Sequence, residues 1–128
     1  MSVPGRSVTA MDLNIGGITI DCADPHTLAD FWTRALGLEI AYAGDEFVQL
    51  VSRADRSRPY LGLQKVPEAK AGKNRMHLDL TAGDPDAEAA RLAALGATVG
   101  DKYEEPGLRW TVLFDPAGNE FCVGTHHG

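Results

Sequence analysis

The sequence is poor in the features that most readily assign a function. It has only two cysteines, Cys22 and Cys122, with no Cys-x-x-Cys spacing. That leaves no disulfide framework and no cysteine-framed zinc knuckle, and free thiols in a reducing, cytoplasmic setting are expected. No apolar run approaches the ~20 residues that span a bilayer, and Met1–Ser7 holds no hydrophobic segment of secretory length. An intracellular chain with no membrane partner is the expectation. Basic residues are outnumbered, 12 Lys and Arg against 18 Asp and Glu, for a net charge of −6. With no basic block to track a phosphate backbone, the charge argues against nucleic acid. Gly16-Gly17 opens no phosphate-binding loop, and no Gly-x-Ser-x-Gly elbow occurs. Arg53, Arg56 and Arg58 are interrupted by Asp55 and read as an exposed turn. His126-His127 is too short for a metal-binding tract.

What is present is a globular composition, 44% hydrophobic and 23% charged over 128 residues, enough for a single domain with one core. The chain also repeats itself. Ile18–Pro25 and Leu78–Pro85 align at an offset of 60 residues, each a strand followed by a turn and Asp-Pro. Asp can cap a helix and Pro tolerates its first position, so a helix opens in each copy. Leu28, Phe31, Trp32, Ala35 and Leu36 give the first helix one apolar face; Ala89, Leu92, Ala93 and Leu95 do so for the second. Both helices stop at Leu-Gly, Leu36-Gly37 and Leu95-Gly96, where glycine accepts the left-handed cap. Strands then follow at 38–43, 47–51 and 60–66, and again at 97–102, 109–114 and 120–124. The unit is β-α-β-β-β, present twice: module one at about 13–66, an exposed linker at 67–74, module two at about 75–124. Residues 1–12 and the tail from Thr125 read as peripheral.

Alternation assigns faces. Leu61, Leu63, Leu78, Leu80, Phe121 and Val123 share the parity expected beneath the helices. Tyr60, Gly62, Gln64, His77, Asp79, Glu120, Cys122 and Gly124 take the other, uncovered face. Trp110 alternates with Val112 and Phe114, and its side is open between cavity and core. Glycines at 17 and 62 read as space left at the floor of a cavity.

The order Asp-Pro…Phe31-Trp32…Leu36-Gly37-Leu38, then His77-Leu78-Asp79-Leu80, then Asp115-Pro116-Ala117-Gly118-Asn119-Glu120-Phe121-Cys122-Val123, resembles the glyoxalase/bleomycin-resistance/extradiol-dioxygenase superfamily, the vicinal oxygen chelate proteins, in its glyoxalase-like branch. The resemblance covers residues 13–124. It implies an α+β fold of two βαβββ modules forming a cup-shaped mixed sheet with helices on the outer face. It also implies a divalent metal held at positions 17, 62, 77 and 122. Of these only His77 matches the pattern, since 17 and 62 are glycine and 122 is cysteine, with the acid two residues earlier at Glu120. No metal and no cofactor are therefore expected.

The leading functional expectation is a small-molecule-binding glyoxalase-like protein with a degenerate metal site. Its ligand would meet Tyr60, Gln64, His77, Asp79, Trp110, Glu120 and Cys122. The alternatives are a lyase or isomerase using His77 with Glu120, and a structural or dimerisation module. A homodimer is left open, because strand exchange between two chains satisfies the same pairings as pairing within one.

Overall fold

The computed structural model describes residues 13–125; the expectations for residues 1–12 and for His126-His127 lie outside them. Module one comprises β1 (Gly17–Cys22), α1 (Pro25–Leu36), β2 (Leu38–Ala43), β3 (Phe47–Ser52) and β4 (Tyr60–Lys65). Module two comprises β5 (Leu78–Thr81), α2 (Pro85–Leu95), β6 (Thr98–Glu105), β7 (Leu108–Phe114) and β8 (Glu120–Gly124). Each module is one mixed four-stranded sheet, ordered β1-β4-β3-β2 and β5-β8-β7-β6. In both, the first strand lies at an edge, parallel to the last, and the other pairings are antiparallel. Parallel pairing needs a crossover, and the helix that follows the first strand begins it.

The local signals act as their chemistry dictates. The Asp24 carboxylate accepts from the backbone N–H groups of His26 and Thr27, and Asp84 accepts from that of Ala87. Pro25 and Pro85 then occupy the first helical turn, where a missing N–H costs nothing. Gly37, at φ 66°, supplies the left-handed cap that ends α1 and turns the chain into β2.

The helix-covered faces of the two sheets meet in one core. Leu61, Leu63, Phe121 and Val123 are buried as their parity requires, and Leu78 and Leu80 pack against them while half-buried. Leu36 and Ala93 depart from the expected apolar faces and are exposed. Residues Leu28, Ala29, Phe31, Trp32 and Ala35 form the buried stripe of α1. Its aromatic centre reaches into module two: Trp32 lies edge-on to Phe121 of β8 at a ring separation of 5.0 Å. Arg91 of α2 donates to the Ala35 carbonyl (2.8 Å) and the Arg34 carbonyl (3.3 Å), placing a cation at the negative end of α1.

Among the described residues the sheets are separate hydrogen-bonded units, with β1 and β5 each an edge of its own sheet. Because both turn their helix-covered sides into the common core, their inner faces point outward from it. No helix among the described residues is long and apolar enough to cross a membrane.

Candidate functional site on the inner face of module two

The site is a consequence of strand register. Asp79 of β5 is the direct cross-strand partner of Cys122 of β8, and parallel neighbours in register present their side chains to the same face. His77 lies two residues before Asp79 and so takes that face too. Its Nε2 is 3.2 Å from Asp79 Oδ1, and ligand-capable atoms of His77, Asp79 and Cys122 all lie within 4.8 Å of one another. They border a cavity of ≈380 Å³ whose other walls include Leu80, Leu108, Trp110 and Gly124. Trp110 thus takes the cavity side. Thr111 and Leu113, of opposite parity, are 2% and 0% exposed beneath the helix. The Trp110 indole is braced by Tyr103 of β6, stacked at 5.3 Å with 18° between the planes.

The charge state of the cluster is biased. Burial pushes the Cys122 thiol above its ordinary range, the negative charge of Asp79 and a hydrogen bond to it add to the effect, and Lys73 opposes it. As an isolated protein group Cys122 is a protonated thiol, not a poised nucleophile. Cys22 is more inert still: burial, then the charges of Asp115, Asp24 and Asp21, raise it to about 11. Both cysteines are free.

Other candidate residues are placed elsewhere. Tyr60 and Gln64 lie on β4 in the other sheet, and neither borders the cavity at His77. Gln64 donates to the carbonyls of Glu46 and Lys65. Glu120 begins β8 but belongs to the linker. Its side chain is 10% exposed, pairs with Lys70 Nζ at 2.9 Å, and accepts from the backbone N–H of Asn74 at 2.7 Å. Burial raises the Glu120 carboxyl, and the bonds from Lys70 and Asn74 with the Lys70 charge outweigh it, leaving a net lowering. Asn74 also donates to Asn119, so the linker is pinned to the start of β8. A larger cavity, ≈790 Å³, lies under this linker beside the start of α1, lined by residues such as Asp21, Asp24, Lys70 and Lys73. It carries charged groups of both signs but no converging donor set.

The reading of Gly17 and Gly62 as open floor is corrected. A Cβ on Gly17 would overlap the Tyr60 ring, which lies over it from the paired position on β4. A Cβ on Gly62 would stand 2.7 Å from the Phe47 ring and 2.8 Å from Thr19 Oγ1. The missing side chains are replaced by aromatic rings, which alternation along a strand cannot reveal. These positions also test the metal that the resemblance implies. Two of its four ligand positions carry no donor, and rings occupy the space a donor would need. The four-position centre does not fit this chain, and no chemistry is routed through it.

Comparison with known proteins agrees with the fold. The model of the family "Glyoxalase-like domain" matches residues 17–124. A glyoxalase/bleomycin resistance protein/dioxygenase family enzyme from Burkholderia phytofirmans PsJN superposes with a TM-score of 0.73 at 18% identity, covering 88% of this chain and 98% of that one. The fosfomycin resistance protein FosX from Mesorhizobium loti gives 0.71 at 15% identity, over 91% and 95% of the two chains. Lactoylglutathione lyase from Agrobacterium tumefaciens gives 0.64 at 21% identity, over 88% and 92%. At such identities these likenesses speak for the fold alone. No curated protein matches the sequence. With 17–124 matched by the family and both βαβββ modules in place, the chain belongs to the glyoxalase-like domain family.

Proposed function

We propose that the protein binds a small molecule on the inner face of module two, between the Trp110 indole and the His77–Asp79–Cys122 cluster. One observation carries this: strand register gathers an imidazole, a carboxylate, a thiol and an indole around one cavity, on the face the core does not use. Its ≈380 Å³ is within the range of small-ligand sites, which combine apolar walls with few polar groups. The structural relatives include a resistance protein and a lyase, so fold likeness selects no reaction. If proton transfer accompanies binding, His77 with Asp79 is the pair in contact, whereas Glu120 is engaged by the linker.

A homodimer supplies the wall that a single chain lacks. In support, β1 and β5 have no outer partner strand among the described residues, and Ile18 on β1 is 39% exposed. The inner face bearing Tyr60 and Gln64 would then cover the cavity of a second copy, joining the residues that one chain keeps apart. The test is fragment screening by amide chemical-shift mapping on chelator-treated protein, with light scattering for mass. Shifts clustered at 77–81, 108–112 and 122–125 support the site. Fragments that bind only under the linker, or nowhere, overturn it.

A further inference from the structure

We propose that the ≈790 Å³ cavity beneath the linker is a second binding site, independent of the one on module two, for a small zwitterion: a free amino acid or a short peptide with free ends. The cavity lies between the end of β1, the start of α1, the linker and the 115–119 turn. It shares no lining residue with the cavity at His77. Its volume is within the range of small-ligand sites.

The class of ligand follows from the placing of charge. Asp21 at the end of β1 and Asp24 before α1 border the cavity from module one, with Glu68 near the end of β4. Lys73 and Arg75 border it where the linker runs toward β5. Asn119 spans the gap between these groups. Its Nδ2 donates to the Asp21 carbonyl at 3.2 Å, and its Oδ1 accepts from the Asn74 side chain at 2.9 Å. The two sides are thus one side-chain amide and two hydrogen bonds apart, which is the scale of a small molecule.

The charges are available. Asp21, Lys73 and Arg75 enter no ion pair among the described residues, although they border one cavity. Their neighbours are engaged: Asp24 caps α1 and accepts from Thr27 Oγ1, and Lys70 pairs with Glu120. An ammonium group can meet Asp21 while a carboxylate on the same molecule meets Lys73 and Arg75. A simple anion would instead face the carboxylates of Asp21 and Asp24, and a simple cation would face Lys73 and Arg75. Between the charges the wall is small and neutral. Leu28, Val66 and Ala117 contribute apolar surface, and Cys22, raised by burial to about 11, stays a protonated thiol. An uncharged body between two charged ends fits that wall.

The test is titration of the full chain with L-alanine and with trialanine at low ionic strength, read by amide chemical shifts. Shifts should cluster at 21–28, 66–75 and 116–119, and the tighter of the two probes tells amino acid from peptide. The N-acetyl form of that probe keeps only the negative end, and its amide keeps only the positive end. Each should bind about threefold more weakly or worse, the scale of one exposed ion pair. Asp21→Asn should erase the advantage over the N-acetyl form, and Lys73→Gln with Arg75→Gln should erase the advantage over the amide. Arg53→Gln changes a charge that does not border the cavity and should bind as the parent does. All these side chains are exposed, circular dichroism checks the fold, and the capped probes test the parent without any variant. The proposal is overturned by absence of shifts at these residues, by capped forms that bind as well as the free probe, or by unchanged selectivity in the folded variants. Probe shifts confined to 77–81 and 122–125 would overturn it while supporting the site on module two.

Discussion

The indole Nε1 of Trp32 donates to Asp115 Oδ2 at 3.1 Å, joining α1 of module one to the turn that follows β7 in module two. Both residues are buried, Trp32 at 1% exposure and Asp115 at 3%. Asp115 Oδ1 also accepts from the backbone N–H groups of Ala117 and Asn119, shaping the turn that leads into β8. One carboxylate therefore fixes a turn and clasps two modules. Trp32→Phe leaves Oδ2 without its partner and should cost about 1–3 kcal/mol of stability. Asp115→Ala strands three donors and should cost more. Urea unfolding of the two variants orders them, and equal or negligible losses would show that the clasp does not hold the modules.

The same residue sets a pH dependence. Burial pushes Asp115 above its ordinary carboxyl range, while hydrogen bonds from Asn119, Trp32 and Ala117 pull it back only in part. A raised folded-state value means that the folded chain holds this proton more tightly than the unfolded one. The associated stability is full below the ordinary aspartate range and is lost as pH rises through the raised value. Glu120 runs oppositely: its lowered value contributes stability above the ordinary glutamate range, lost as pH falls through it. Against Asp115→Asn, the parent should lose relative stability on going from acid toward neutrality. Against Glu120→Gln it should gain. Urea midpoints across the carboxylate range give both signs.

Glu120 should act on the linker and not on the cavity at His77. Its two partners, Lys70 and the Asn74 N–H, are linker groups. Glu120→Gln keeps the shape but loses the ion pair, so trypsin should cut faster at Lys70 or Lys73. The affinity of any fragment that maps to residues 77–81 should stay within about twofold, since Glu120 does not border that cavity and its partners are linker groups. Weakened fragment binding with unchanged proteolysis would return Glu120 to the site.

How much of this was legible in sequence divides along the range of the interactions. Asp24 with Pro25, Asp84 with Pro85, and Gly37 act within one helical turn, and all are readable from neighbours in the chain. Strand parity was equally local and correctly separated Leu61 and Leu63 from Gln64. What sequence could not supply was pairing between distant strands. His77 and Asp79 share a strand and can be grouped by eye, but Cys122 joins them only through the register of β5 against β8. The partners of Glu120 were hidden because the linker has no periodicity to betray where it docks. The joining of two helix-covered faces through Trp32, Phe121 and Asp115 depends on helix orientation, which no local spacing encodes.

The glycines at 17 and 62 give the last prediction, because opposite readings of them make opposite demands. If they were open floor, adding a methyl group would cost little beyond the backbone conformation, which is extended at both. The rings of Tyr60 and Phe47 over them require the reverse. Gly62 is buried and its added Cβ would press on both Phe47 and Thr19, so Gly62→Ala should destabilise by about 1–3 kcal/mol, as overpacking does. Gly17 lies at a sheet edge under a single ring, and Gly17→Ala should cost less because Tyr60, half-buried, can swing outward. The two positions of each pair should then be coupled. Tyr60→Ala should relieve Gly17→Ala, and Phe47→Ala should relieve Gly62→Ala, so that each double variant is more stable than the sum of its singles predicts by about 0.5–3 kcal/mol. Urea unfolding of the two cycles measures this directly. Strict additivity in both would mean that the rings do not occupy the vacated ligand positions, and the case against a four-position metal centre would then rest only on the absence of donors at 17 and 62.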